Sequence, residues 1–470
     1  MHNNISEDLK FFNELINELI NEEKINPVSQ PIPIDKLKSQ FDLNLNSTPA
    51  ITEDFKDELR KLVLNTPKSS SNRFFNQLFG GRHSKAVLGE LLAVMLNNSM
   101  ATYKIAGPQV AVEKEIIEKV NMLIGYSKEG NSESILPGGT IPTGGSMSNF
   151  MSMLMARDKK DSQIKNKGIQ RRLIAYTSEN AHYSISKSAS FIGIGRENVR
   201  YISSDKYGRI NINEFNDQVK TDIKNGLIPF YLNATAGTTV LCAFDPVTEL
   251  SPICKKHNIW LHLDGAFGGS VIFSNKYRHL VKGVELTDSF CFNPHKTLGT
   301  PISTSILVVK NNKDLYNSFD NEANYLYQTH TEEYNLGKTS FECGRRNNAL
   351  KFWCLWKAVG TNGLEKIIDH EFRLADFARS YILNNKDYKL YNSNESLTVC
   401  FNYKDYDAKE LCTKLYESSK LMVGFGLFHE DIFIRLVTIN SENTTKEILN
   451  FFKILEEFVS ENASLLKKRV

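Results

Sequence analysis

The sequence predicts an α/β fold, with a mostly parallel central sheet flanked by helices and a small α+β unit at its C-terminal end. Three observations lead there. Residues 172–177, 229–234, 259–263, 290–292 and 304–309 are short apolar runs with little polar alternation, the texture of strands buried on both faces. Helical patterns separate several of these runs, as crossovers between parallel strands require. After about residue 375 the texture changes, and strand-like 397–402 and 432–437 stand among helix-like 406–419 and 444–461.

At the N-terminal end, Leu9, Phe12, Ile16 and Leu19 recur at helical spacing, and Phe11, Leu15 and Ile20 widen the stripe. Residues 7–22 therefore form an amphipathic helix that needs a surface to cover. Pro27, Pro31, Pro33 and Pro49 mark a linker or extended arm after it. The expected division is 1–70 as an N-terminal helix and arm, 71–370 as the large domain and 371–470 as the small one. A chain of 470 residues suits that size.

Composition excludes several classes of function. Lys and Arg number 57 against 54 Asp and Glu, a net charge of +3, which leaves no footprint for nucleic acid. No run approaches the roughly 18 apolar residues of a membrane span. The first ten residues are polar, without the apolar core of a secretory leader. The seven cysteines are odd in number and form no CxxC pair, so neither a disulfide framework nor a metal site is expected. These features point to a cytoplasmic protein.

Four segments carry candidate chemistry. Thr143-Gly144-Gly145-Ser146-Met147-Ser148-Asn149 opens a helical stretch, and glycines before a helix N-terminus admit an anion to free N–H groups. An ordinary Gly turn with a Ser cap looks the same in isolation. The methionines at 147, 151, 153 and 155 read as helix packing. Next comes Asn180-Ala181-His182-Tyr183-Ser184, where a lone His would by itself be a hydrogen-bonded core residue. The third, 259–269, is an apolar strand ending in Asp264-Gly265-Ala266. Ligand-binding side chains sit at such C-terminal strand edges, although a turn-capping Asp does too. In the fourth, Asn293-Pro294-His295-Lys296 stands between an apolar strand and a Gly turn, where partial desolvation makes a lysine amine nucleophilic.

Taken together, and with Ala234-Thr235-Ala236-Gly237-Thr238-Thr239 and Asp245-Pro246 in order, these segments resemble the group II pyridoxal-phosphate (PLP) amino-acid decarboxylases. The resemblance runs from about Arg73 to about Phe458. It implies a type I PLP-dependent transferase fold and a homodimer with shared active sites, the 1–70 segment packing on the partner subunit. It also implies PLP as cofactor, held by Lys296 as a Schiff base. Asp264 would pair with the pyridine nitrogen and His182 stack on the ring. Gly145, Ser146 and Met147 would surround the phosphate with Asn293 and His295. Thr239 would lie beside the ring and Ala266 beneath it. Tyr325, in Asn324-Tyr325-Leu326-Tyr327-Gln328, matches the loop tyrosine that protonates the α-carbon, with Tyr327 and Tyr334 behind it. The presence of both Tyr325 and His182 favours decarboxylation over aldehyde formation.

Within the family the chain resembles the branch acting on acidic amino acids, through 73–79, Thr102-Tyr103, Ile105-Ala106 and 341–345. Arg435 aligns with an arginine that clamps the α-carboxylate, a task suited to a guanidinium. Gln77, Phe79 and Ser99 match the side-chain end of the pocket. Phe79 and Ser99 are similar to cysteine-sulfinate decarboxylases and unlike glutamate decarboxylases. A bulky Phe79 favours a shorter acid, cysteine sulfinate or aspartate. Met100-Ala101 and Lys104 depart from both branches. The alternatives are a glutamate decarboxylase or a diaminobutyrate or aromatic amino-acid decarboxylase. A catalytically silent regulator would be expected to lack Lys296, Asp264 or Tyr325, and all three are present.

Overall fold

The structure, a computed structural model, describes residues 5–25, 27–127, 136–320, 323, 325–327 and 332–468. In chain order its strands are β1 (Phe74–Phe75), β2 (Gly138–Thr140), β3 (Leu173–Ser178), β4 (Val199–Ile202), β5 (Ile228–Thr235) and β6 (Trp260–Gly265), then β7 (Ser289–Phe292), β8 (Ile306–Val309), β9 (Tyr388–Leu390), β10 (Thr398–Tyr403), β11 (Met422–Phe428) and β12 (Asp431–Val437). The chain divides into two compact units. The larger takes Arg82–Arg373 and Asn392–Thr398, and the smaller takes Met1–Gly81, Leu374–Tyr391 and Val399–Val470.

The larger unit is built on a seven-stranded sheet in the order β2-β8-β7-β6-β5-β3-β4. β4, β3, β5, β6 and β7 run parallel, while β8 pairs antiparallel with both β7 and β2. Each apolar run of the sequence became a strand of this sheet, and β3, β6, β7 and β8 are buried at every position. Helices cover the sheet, which explains why these strands lack polar alternation. The helix Gly145–Lys160 packs Met151, Met153 and Met155 against Ala175, Phe230, Tyr231 and Trp260. The methionines thus fill the core, as their spacing predicts.

The smaller unit holds a five-stranded sheet in the order β1-β11-β12-β10-β9. β11 and β12 form an antiparallel hairpin, and β1 adds parallel to β11. Phe75, Val399, Phe401, Leu415, Ile434, Phe451 and Phe452 share its core. One helix here has no counterpart in the sequence reading. Thr52–Asn65 follows the proline-marked arm, and none of its residues is buried. Its apolar stripe is narrow, and it is tied to the helix Ile5–Ile25 by an Arg60–Glu18 ion pair at 3.1 Å and by Arg60 over the Phe11 ring.

A buried ion pair orders the approach to the Gly-rich turn. Arg345 pairs with Glu113 and donates to Thr140 Oγ1 at 2.8 Å, while Glu113 Oε1 accepts the Ile141 N–H at 3.1 Å. Both charged side chains are almost wholly excluded from solvent, so removing one partner strands the other. Arg345→Met is expected to cost about 3–5 kcal/mol, read as a fall in the urea midpoint. Adding Glu113→Gln in the same chain should recover much of that loss, and a double variant no more stable than the single would refute the account.

Candidate active site

The C-terminal ends of β5, β6 and β7 and the start of the helix Gly145–Lys160 meet around a cavity of about 370 Å³. Thr143, Gly144, Gly145, Ser146, Met147, His182, Thr239, Asp264, Ala266, Asn293, His295 and Lys296 all line it. Every cofactor-binding residue named from the sequence is therefore on one wall or another of a single cavity. A larger cavity of about 620 Å³ lies beside the helix Gln109–Ile124, but its wall brings together no comparable nucleophile, imidazole and buried carboxylate.

Local sequence explains each placement. The first N–H groups of a helix find no partner within it, and Gly144 to Met147 bring that end to the cavity. A Cβ on Gly145 would meet Ala266 Cβ at 2.8 Å and Asn293 Nδ2 at 3.1 Å, so only glycine allows this approach. Asp264 is the fifth residue of β6 and points from the same face as Trp260 and His262, by the two-residue period of a strand. Its Oδ1 accepts the Ala266 N–H at 3.0 Å, and its Oδ2 accepts an Asn149 amide N–H at 2.7 Å. Lys296 sits on the one-turn helix Pro294–Thr297 directly after β7.

The imidazoles are held neutral. Burial pushes His182 below its ordinary value, as does the nearby Lys296 charge, against the opposing pull of Asp264. His295 is pushed down to about 4, chiefly by burial. Its Nδ1 stands 2.9 Å from the Thr304 N–H, which fixes the ring. The buried Asn293 Oδ1 has no hydrogen-bond partner among the described residues, which leaves an acceptor for a polar ligand in the cavity wall.

The remaining site residues lie elsewhere. Tyr325 is 80% exposed and does not line the cavity, and its neighbours Asn324 and Gln328 lie outside the described residues. Tyr327 faces Lys338 at 5.3 Å, and Tyr334 packs edge-on against Tyr103. Gln77, Phe79 and Arg435 belong to the smaller unit. There Arg435 donates to the Asn76 carbonyl at 2.7 Å, and Phe79 packs against Phe74. Ser99 belongs to the larger unit, where it donates to the Cys343 carbonyl at 2.8 Å and accepts the Ala101 N–H. The sequence reading gave no role to the lining residues Asn149, Tyr183, Thr235, Gly237 and Phe267, nor to Ser184, which bonds Asn149 and His182 without lining the cavity. Thr235 and Gly237 stand in a segment singled out at the end of β5, and Asn149 and Ser184 close the first two segments. Ile302 and Ser303, also at the cavity, carry no sequence signal.

The donor set fits PLP. A helix N-terminus suits its phosphate, a buried carboxylate its pyridinium nitrogen and a lysine amine its aldehyde. Comparison with known proteins agrees. Residues 34–404 match the pyridoxal-dependent decarboxylase conserved domain. The acidic amino acid decarboxylase GADL1 of Xenopus tropicalis is 35% identical over 399 residues, 83% of this chain and 76% of that protein. The cysteine sulfinic acid decarboxylase of Mus musculus is 35% identical over 373 residues, 78% of this chain and 74% of that protein. The crystal structure of mouse CSAD superposes with a TM-score of 0.88 at 30% identity, covering 95% of this chain and 97% of that one. The fold class expected from the sequence, the type I PLP arrangement, is thereby borne out. The chain belongs to the pyridoxal-dependent decarboxylase family and is a PLP-dependent amino-acid decarboxylase.

Proposed function

We propose that this decarboxylase acts on a short acidic L-amino acid, cysteine sulfinate or aspartate, and releases CO2 and the amine. The observation that carries this reading is the meeting of Lys296, Asp264 and His182 at one cavity, in a chain whose 34–36% identical relatives are named acidic amino acid and cysteine sulfinic acid decarboxylases. Bound there, PLP supplies a ring that takes up the electron pair released when the bond between the α-carbon and its carboxylate breaks.

The chain's own residues do the rest. Lys296 would hold the cofactor covalently through its amine. Asp264 would pair with the ring nitrogen and keep it protonated. His182, half-buried and pushed toward its neutral form by burial, would lie against the ring face. Gly145, Ser146 and Met147, with Asn293 and His295, hold the phosphate, while Thr239 and Ala266 confine the ring. Arg435 clamps the α-carboxylate, and Gln77, Phe79 and Ser99 receive the side chain. Tyr325 delivers the proton to the α-carbon.

Two copies of the chain form the working enzyme in this reading. The helix Ser84–Leu96 leaves Leu88, Leu91, Leu92, Val94, Met95 and Leu96 exposed, an apolar surface that suits a subunit interface. Residues 1–70 pack on the partner in the same dimer. A cytoplasmic location accords with seven free cysteines, and no helix among the described residues is long and apolar enough to cross a membrane.

The longer acid glutamate is the second reading, because Met100-Ala101 lacks an aromatic found in related chains. Against it, Met100 packs in an apolar cluster with Ala106, Val110 and Leu336, so its neighbourhood is filled.

Lys296→Ala is expected to abolish the visible absorption of the bound cofactor and all turnover. A reducible linkage persisting in that variant would move the covalent role to another lysine. Tyr325→Phe should keep the cofactor but shift products from amine toward aldehyde and ammonia in the presence of oxygen, since the α-carbon would then lack its proton donor. Normal amine formation in that variant would point to Tyr327 instead. With cysteine sulfinate, aspartate, cysteate and glutamate assayed side by side, the wild type should favour the shorter acids. Phe79→Ser should raise relative activity on glutamate by about tenfold or more, the order that one methylene is worth. A wild type that prefers glutamate to both cysteine sulfinate and aspartate would sink the pocket argument and leave the decarboxylase assignment intact.

A further inference from the structure

From Asn149 in the cavity wall a line of buried polar side chains runs back into the larger unit. Trp260 and His262 of β6, Ser289 of β7 and Asn149 of the helix Gly145–Lys160 stand in contact within the larger unit. Trp260 Nε1 lies 2.9 Å from Ser289 Oγ, and Ser289 Oγ lies 2.8 Å from His262 Nδ1. His262 Nε2 is 3.0 Å from Asn149 Oδ1. The Asn149 amide nitrogen is 2.7 Å from Asp264 Oδ2 and 2.9 Å from Ser184 Oγ, which in turn is 2.9 Å from His182 Nδ1.

The chemistry at the Asp264 end fixes the direction of every bond: a carboxylate only accepts, so Asn149 turns its amide N–H to Asp264 and its carbonyl oxygen to His262 Nε2, which has to donate. A neutral His262 that donates from Nε2 accepts at Nδ1, so Ser289 gives its proton to that nitrogen while accepting the Trp260 N–H. An indole N–H can only donate, which agrees with that direction. The amide cannot flip without setting its N–H groups against the His262 Nε2 proton, so both face Asp264 and Ser184. Ser184 accepts one and passes its proton to His182 Nδ1. The Ser184 backbone N–H also donates to His182 Nδ1, at 3.2 Å, and independently requires that nitrogen to be an acceptor.

We propose that Trp260, Ser289, His262 and Asn149 form a one-way donor chain that positions two functional groups together, holding Asp264 as a hydrogen-bond acceptor and His182 with its proton on Nε2. It rests on the PLP reading only for the roles of its two ends. The surroundings favour a neutral His262, whose neighbours are the Asp264 carboxylate, the Cys291 thiol at 3.8 Å and the stacked Tyr231. Burial pushes the imidazole down to about 4, against the pull of Asp264, and raises Cys291 well above its usual value. Tyr231 is engaged with Ser152 at 2.8 Å, so it does not compete for the chain. These four are positioning residues, since they act on cofactor through Asp264 and His182.

The test begins with the unmutated protein. With histidine nitrogens labelled, NMR of the apoprotein and of the PLP form should show His262 and His182 as neutral rings protonated on Nε2 near neutral pH, each resonance assigned by its loss in His262→Gln or His182→Gln. A His262 ring protonated on Nδ1, or on both nitrogens, overturns the proposal. Ser289→Ala, which removes the donor to His262, should weaken PLP binding to the apoprotein by about 10-fold to 100-fold, as loss of an outer partner commonly does. It should lower kcat more than KM changes, and Ser289→Thr should restore both to within about threefold. Wild-type PLP affinity in a folded Ser289→Ala protein also overturns it. The nitrogen spectra do not depend on turnover, so a protein with the expected protonation pattern and no decarboxylase activity would sink the functional reading alone.

Discussion

The constraint on which the larger unit depends is the burial of a carboxylate. Asp264 is 4% exposed, and an ionised group so placed is costly unless its oxygens are satisfied. The sheet satisfies them twice. Its own turn returns the Ala266 N–H to one oxygen, and the helix Gly145–Lys160 brings an amide to the other. That second contact requires the helix to cross the sheet closely at Asn149. The close crossing in turn requires Gly145, where any side chain would strike Ala266. The glycine turn thus serves two ends. It opens a helix N-terminus to an anion, and it lets the helix approach near enough to hold the carboxylate.

Parallel topology makes the arrangement possible. β5, β6 and β7 all end at the same edge, so Thr235, Asp264 and the residues after Phe292 arrive there from different parts of the chain. The register places Asn233 beside His262 and Ser289 on its other side, one polar row across three strands. Such a row is unusual in strands buried on both faces and would be destabilising if any member lacked a partner. His262 and Ser289 are paired at every polar atom named above, whereas Asn233 pairs its amide nitrogen with Thr177 and Thr235 and leaves its Oδ1 without a partner among the described residues.

How much of this was legible in the sequence follows from the range of each interaction. The large sheet was legible because strands buried on both faces must be apolar along their length, and the five runs show it. The strand boundaries drifted by one or two residues, as with β8, which starts at Ile306 where the run begins at 304. The helix Thr52–Asn65 was missed because it buries no residue, and its charged surface resembles a linker. β11 was missed because Gly424 and Gly426 break its apolar pattern. At the site, Lys296, Asp264 and His182 were legible through the order of their segments. His262 and Asn149 were in plain view within those same segments, but their pairing spans 113 positions and no local pattern signals it.

The same difference of range separates catalysis from specificity. All the residues that line the cofactor cavity belong to one unit and are fixed by backbone register, a glycine contact and a network of short hydrogen bonds. The residues assigned to the substrate divide between the units, with Ser99 in the larger and Gln77, Phe79 and Arg435 in the smaller. Their neighbours are ordinary ones: Arg435 bonds a carbonyl, Phe79 meets a phenylalanine, and Ser99 closes a turn. A change at Phe79, which is half-buried against Phe74, alters volume without disturbing a buried charge. A change at Asn149 unbalances a buried carboxylate and an imidazole together. In the proposed reading, the positions assigned to substrate preference are thus less constrained by their protein neighbours than Asn149, whose amide serves Asp264 and, through Ser184, His182.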